Sequence, residues 1–277
     1  RSSPTNFGLY LLSVVSAHEF GWMGLLDTVD RLEATLNTLK AMPRLQGHFY
    51  NWYATDTLEI LEPKYVSTVD SGNLAGHILT LAQFCREMLS RPLAFSNALT
   101  GLSDTHQLLS QALTNIPDNR RNLTVSNKEL SLKIIAVGKL IGSSPTHPFG
   151  CNQLWQQLIL EANILQDLAR AYAIERGDEQ DNEVLSWAEL LRDDIHSHAR
   201  DANILGPWRH LQSITDNKKG LSENGNFSQF LILETNLNDL PVAYTNCLNN
   251  LESFGDCFAT SSELNILLPK LWISLKD

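Results

Sequence analysis

The sequence predicts an all-α fold built of helical hairpins, with a short β or loop excursion near residues 47–66. Three observations predict it. Apolar residues recur at three- and four-residue steps through most of the 277 residues. The periodic runs are separated by short joints rich in Pro, Gly, Asn and Ser. The periodicity fails at length only once before residue 115, between Gly47 and Val66, where aromatics lie among threonines.

The first run places Phe7, Tyr10, Leu11, Val14 and Val15 on a helix from Pro4 to about Phe20, with Pro4 in its first turn and Gly21 as its stop. The second puts Leu25, Val29, Leu32, Leu36 and Leu39 on one stripe from about Gly24 to Ala41, ended by Pro43. These two read as an antiparallel hairpin. After the aromatic excursion, Leu74, Ile78, Leu81, Ala82, Cys85 and Leu89 define a helix from about Ser71 to Ser90, with Asp70 or Ser71 as its N-cap and Arg91-Pro92 at its end. Further runs cover about 93–115, 128–141, 152–175, 182–203, 227–236 and 242–251. The joints at 116–122, 142–150, 177–181 and 216–226 are short, and none reads as a flexible interdomain linker.

Helices alternating with short joints suit a stacked α/α array or toroid. The chain has room for nine or ten helices at roughly 20 to 30 residues each. A ring of twelve would not fit, so the expected architecture is an incomplete α/α toroid. Residues 1–115 are its motif-bearing start, and residues 116–277 are a further, truncated helical region of the same domain.

Charge and composition exclude several functions. A formal charge of −10 repels a phosphate backbone, so no nucleic acid is expected as a partner. The longest apolar runs fall well short of the roughly 20 residues that cross a bilayer, so no direct membrane span is expected. Cys85, Cys151, Cys247 and Cys257 form no C-x-x-C pair, and His196 and His198 point to different faces of a helix. No metal and no cofactor is expected. The chain opens at Arg1 without a signal pattern and ends at Asp277 inside a running apolar pattern, which reads as a piece of something longer.

The segment Gly47 to His77 is the candidate for chemistry. It holds five of the 22 aromatics in 31 residues, twice the average density, with short polar groups between them. Flat rings can stack on sugar rings while fixed donors and acceptors take the hydroxyls, so carbohydrate binding is one reading. The other is a packed loop whose aromatics are core and whose polar residues cap the next helix. Glu59, Glu62, Asp193, Asp194 and the acidic run 178–183 read as solvated surface or helix starts, and Trp155, Trp187, Trp208 and Trp272 as core or interface. Gly72 and Gly76 read as sites of close backbone packing.

Three blocks, RSSPTNFGLYLLSVVSAHEFGW from Arg1, GHFYNWYATDTLE from Gly47 and YVSTVDSGNLAGHILTLA from Tyr65, resemble the start of the cyclization domain of cyclic β-1,2-glucan synthases. The resemblance is dense to about Leu89. It implies a glucoamylase-like α/α toroid in a bacterial inner-membrane protein, which closes linear β-1,2-glucan into a ring by retaining transglycosylation. Glycosyltransferase and phosphorylase-like domains would accompany it in the parent chain, with this segment soluble on the cytoplasmic side.

Retaining chemistry needs two carboxyl groups about 5 to 5.5 Å apart. The resemblance places that pair beyond Asp277, so these residues alone are expected to be inactive. The matching positions that would touch the glucan are His48, Tyr50, Asn51, Trp52, Tyr53, Thr57, Tyr65, Ser67, Thr68, Asp70 and Asn73. Asp70, ionised at a helix start, would accept two sugar hydroxyls. Ala54 stands where the family usually has aspartate. The alternative is a noncatalytic helical carbohydrate-binding or interaction domain.

Overall fold

The computed structural model describes residues 1–93, 96–116, 127–143, 151–206 and 236–246. These residues are overwhelmingly helical, with one two-stranded sheet, as the periodicity predicts. The chain divides into two compact units, Arg1–Arg91 and Pro92–Asp277.

In the first unit, α1 (Pro4–Glu19) begins at Ser3, whose N–H and hydroxyl both reach Asn6 Oδ1, at 3.0 and 2.9 Å. Pro4 opens the helix and Gly21, at φ 77°, follows its end. The next helix, α2 (Leu25–Ala41), starts from Gly24, whose carbonyl accepts the buried Thr28 hydroxyl at 2.7 Å. At its other end Arg44 Nη2 donates to Leu39 O at 2.8 Å and stacks its guanidinium on Phe49 at 4.4 Å.

The excursion begins at residue 44, slightly earlier than the composition suggests. Strands β1 (Arg44–Leu45) and β2 (His48–Phe49) pair antiparallel around Gln46-Gly47. Both turn residues have positive φ, 50° and 87°, the geometry of a two-residue hairpin turn. An ordered loop follows, held by backbone bonds. Tyr53 exchanges hydrogen bonds with Ser2 at 3.0 Å each way, Leu61 N reaches Trp52 O at 3.0 Å, and Asn51 N reaches Tyr65 O at 2.8 Å.

The third helix, α3 (Thr68–Ser90), starts earlier than the apolar stripe shows. Its N-cap is Ser67, whose Oγ accepts Asp70 N–H at 3.1 Å, rather than Asp70 or Ser71. The first turn is polar and carries no apolar period, which is why the pattern locates the start too late. α1 packs more extensively on α3 than on α2. The two helices approach closely at Gly8, where an added Cβ would lie 2.1 Å from His77 Nδ1 and 2.8 Å from His77 Cβ. Gly72 and Gly76, read from the sequence as the sites of close packing, have open space around them.

The core of this unit joins Leu11, Val14, Leu32, Leu39, Met42, Tyr53 and Leu81. Phe7, Phe49 and Tyr53 form its aromatic part, with ring centroids 5.9 to 6.3 Å apart. The Tyr53 hydroxyl donates to Pro43 O at 2.7 Å and accepts Tyr50 N–H at 2.9 Å. Burial pushes its pKa upward. Tyr53→Phe keeps the ring and strands both backbone groups, so we expect a loss of about 1 to 3 kcal/mol in a denaturant titration.

In the second unit, α4 (Ser96–Asn115), α5 (Asn127–Gly142), α6 (Cys151–Arg176) and α7 (Glu183–Leu205) close a ring of contacts, each packing on two of the others. Each falls within a few residues of its apolar run. Their shared core includes Leu102, Leu109, Leu130, Val137, Leu158, Tyr172, Val184, Leu191 and Ile195, all inaccessible to solvent. Trp155 belongs to this core and Trp187 packs against it. Trp208, Trp272, Cys247 and Cys257 lie outside the described residues, as does most of the run at 227–236. A short helical run occupies 240–246.

One surface assignment is corrected here. Asp193 is exposed, but Asp194 turns toward α4 and accepts the Thr105 hydroxyl at 2.9 Å. Desolvation pushes its pKa up to about 7, with the neighbouring Asp193 charge adding to the rise against the Thr105 bond. The helical period gives adjacent carboxylates different faces, so Asp193 stands in water while Asp194 is only partly exposed to it.

Candidate functional site

The loop after β2 and the start of α3 converge on Asn51. This side chain is only 5% exposed. Its amide ends are distinguished by their partners. Nδ2 donates to Asp70 Oδ2 at 2.8 Å, and Oδ1 accepts from Trp52 Nε1 at 2.8 Å and from the Tyr65 hydroxyl at 2.6 Å. Asp70 Oδ1 accepts the Thr5 hydroxyl at 2.7 Å, and Thr5 Oγ1 in turn accepts Asn73 Nδ2 at 3.1 Å. Seven side chains from α1, the loop and α3 thus form one hydrogen-bonded cluster: Thr5, Asn51, Trp52, Tyr65, Ser67, Asp70 and Asn73.

The electrostatics follow from this geometry. Hydrogen bonding with Ser67, and next with Thr5, holds the Asp70 carboxyl below the usual carboxylate range despite partial desolvation. Asp70 is ionised at neutral pH, as its position at a helix start suggests. Both of its oxygens already have protein donors.

The aromatic side chains divide into two groups. Trp52 is half-buried and carries the Arg1 guanidinium over its ring at 4.4 Å, while Tyr65 remains 45% exposed with its hydroxyl directed inward to Asn51. Tyr53 is a core residue with its ring enclosed, and Tyr50 is half-buried beside it. Tyr53 is packing, as the core reading of the segment expects, while Trp52 and Tyr65 stand at the surface of a polar cluster.

The remaining positions lie around this cluster. His48 is exposed on β2, opposite Leu45. Thr57 is exposed in a tight turn in which Leu58 N reaches Ala54 O at 3.1 Å and Ala54 N reaches Glu59 O at 2.9 Å. Ala54 is thus bound through its backbone, and Asp56 accepts Thr57 N–H at 3.0 Å within the same turn. Thr68 is exposed at the first position of α3.

Two participants escaped the sequence reading. Thr5 joins Asp70 to Asn73 from a helix whose pattern reports only apolar packing, and Arg1 covers a face of Trp52. Their separation from the aromatic segment is the reason: Thr5 and Asp70 are 65 positions apart. The only hint was that the N-terminal block and the aromatic block resemble the same family. Among the described residues no cluster of three His, Cys, Asp or Glu is arranged to hold a metal ion, and no helix is long and apolar enough to cross a membrane.

No family model matches the chain. Over 124 residues, however, it is 49% identical to the cyclic beta-(1,2)-glucan synthase NdvB of Rhizobium meliloti (strain 1021). The matched stretch makes up 44% of this chain and 4% of NdvB, so the chain spans only a small fraction of the relative it resembles.

Proposed function

We propose that this chain is part of a cyclic β-1,2-glucan synthase and that its first unit contributes part of the surface on which the glucan is held. The observation that supports the reading most is the 49% identity to NdvB. The hydrogen-bonded cluster supports it independently. Trp52 and Tyr65 offer aromatic surface with their polar tips already satisfied, suited to the C–H faces of glucose rings. Exposed His48, Thr57, Thr68 and Asn73 supply polar groups nearby in the chain for hydroxyls.

In this reading the helices of the first unit open a glucoamylase-like α/α toroid, which closes linear β-1,2-glucan by retaining transglycosylation. The carboxyl pair for that chemistry lies elsewhere in the parent protein, so this piece binds without reacting. Glycosyltransferase and phosphorylase-like domains are its partners in that chain, and the parent resides in a bacterial inner membrane with this segment on the cytoplasmic side. The second unit is assigned no sugar contact.

Calorimetric titration tests the reading. Linear β-1,2-glucan should bind the folded chain, a cellulose-type oligosaccharide should not, and Trp52→Ala should weaken binding about tenfold, as expected for loss of one stacking platform. Binding of both sugars alike, or of neither, would sink the reading. Equal affinity in a well-folded Trp52→Ala would remove Trp52 from the site.

A further inference from the structure

We propose that Asp70 is a positioning residue: through Asn51 it fixes the orientation of the Trp52 and Tyr65 rings. The consequence for sugar binding rests on the reading above; the mechanism rests on the hydrogen bonds alone.

An ionised carboxylate only accepts hydrogen bonds, and an indole N–H only donates. Asn51 sits between the two, with Nδ2 2.8 Å from Asp70 Oδ2 and Oδ1 2.8 Å from Trp52 Nε1. Reversing the amide would set its NH2 against the indole N–H and its oxygen against the carboxylate, leaving all four groups mispaired. At 5% exposure, Asn51 has little water to compensate. The charge on Asp70 therefore selects one amide orientation, and that orientation presents a single oxygen to both the indole and the Tyr65 hydroxyl at 2.6 Å.

The rest of the cluster holds Asp70 in place. Thr5 gives its one hydroxyl proton to Oδ1, the Ser67 cap fixes the backbone at residue 70, and the groups that hydrogen-bond around the carboxylate are neutral. The polar tips of both aromatics are consumed internally, so their contribution to a ligand is ring surface. Asp70 then acts on a ligand through the rings and makes no sugar contact of its own, which departs from the expectation that its carboxylate takes two hydroxyls.

An exchange of the two side chains tests this. Asn51→Asp keeps an oxygen for the aromatics but sets a carboxylate 2.8 Å from Asp70, where like charges repel. Adding Asp70→Asn restores a donor opposite an acceptor, now in the reverse direction, and leaves an oxygen at position 70 for Thr5. The readouts are the Trp52 indole N–H resonance in the full chain, assigned by its loss in Trp52→Phe, and affinity for linear β-1,2-glucan. Asn51→Asp should move the resonance upfield and weaken binding about tenfold. The double variant should return both toward the natural values.

Asp70→Ala, which retains the Ser67 cap, guards against a poorly folded Asn51→Asp: it should move the resonance in the same direction with helix content unchanged. An unmoved resonance in Asp70→Ala, or a double variant no better than Asn51→Asp, overturns the proposal. The sugar reading fails separately. A natural chain that binds no glucan refutes that reading while the indole resonance still reports on Asp70.

Discussion

Asp194→Asn is expected to stabilise the second unit at pH 8 and to flatten its stability between about pH 4 and 7. The carboxyl is raised to about 7 in the folded chain, mainly by desolvation between α7 and α4. In the unfolded chain it returns to an ordinary value near 3.8. Between these values the folded state binds more protons than the unfolded state, so stability falls as pH rises through the window and stays low above it. Below about pH 4 both states are protonated and the group contributes no slope.

Three pH units of difference correspond to about 4 kcal/mol, and partial solvation of the site brings the expected gain to about 2 to 4 kcal/mol. Asparagine keeps an oxygen for the Thr105 hydroxyl, so the bond now 2.9 Å long survives the replacement. Urea titrations at pH 5 and pH 8, followed by circular dichroism, measure the difference. An equal stability change at both pH values would mean that Asp194 is ionised throughout. Asp193→Asn, on the exposed neighbour, should have a much smaller effect, since it removes a like charge together with a solvent-exposed ion pair to Arg192.

Gly8→Ala carries the second large effect, with a sign opposite to helix propensity. In an isolated helix the exchange would be favourable by about 1 kcal/mol. Here the new methyl would fall 2.1 Å from His77 Nδ1 and 2.8 Å from His77 Cβ. A ring can rotate away, whereas a Cβ moves only with its helix, so α1 and α3 must separate. We expect a net loss of about 1 to 3 kcal/mol, seen as a lower melting temperature. His77→Ala should rescue it only in part, because its Cβ remains.

Gly138→Ala makes the control. There the clash is with the far edge of the His106 ring at 2.6 Å, which can swing aside at the expense of its 2.9 Å bond to Ile134 O. The penalty should be smaller. Gly8→Ala should also loosen the cluster around Asn51, because Thr5 lies one turn before Gly8 and reaches Asp70 across the same helix pair. Loss of stability with no change in the Trp52 indole resonance would separate the helix packing from the cluster.

Much of the fold was legible because it is local. Leu11 and Val14, Leu32 and Leu39, and Leu74 and Leu81 are buried on the helix faces that the spacing marks, while Tyr10, Val29, Ile78 and Leu89 of the same runs are exposed. Polar helix ends were less legible. Thr68 to Ser71 carry no apolar period, so α3 began before its stripe did, at a cap defined by the Ser67 hydroxyl.

The candidate site was legible as an inventory and not as an arrangement. Asn51, Trp52, Tyr65, Ser67, Asp70 and Asn73 were all singled out by residue type, and they do share one cluster. Tyr53 has the same chemistry as Tyr50 and Tyr65, yet its place in the loop backbone directs it into the core. Nothing in residue type distinguishes these three.

By itself, then, the sequence determined the helical class, the order of the helices and the aromatic interruption, because each depends on period and composition over a few turns. Tertiary structure decided the rest. It alone brought Thr5 to Asp70, turned Asp194 away from water while leaving Asp193 in it, and gave Gly8 rather than Gly72 or Gly76 the close approach. Each of these depends on a partner from a distant segment, and local spacing carries no information about which distant side chain will stand opposite.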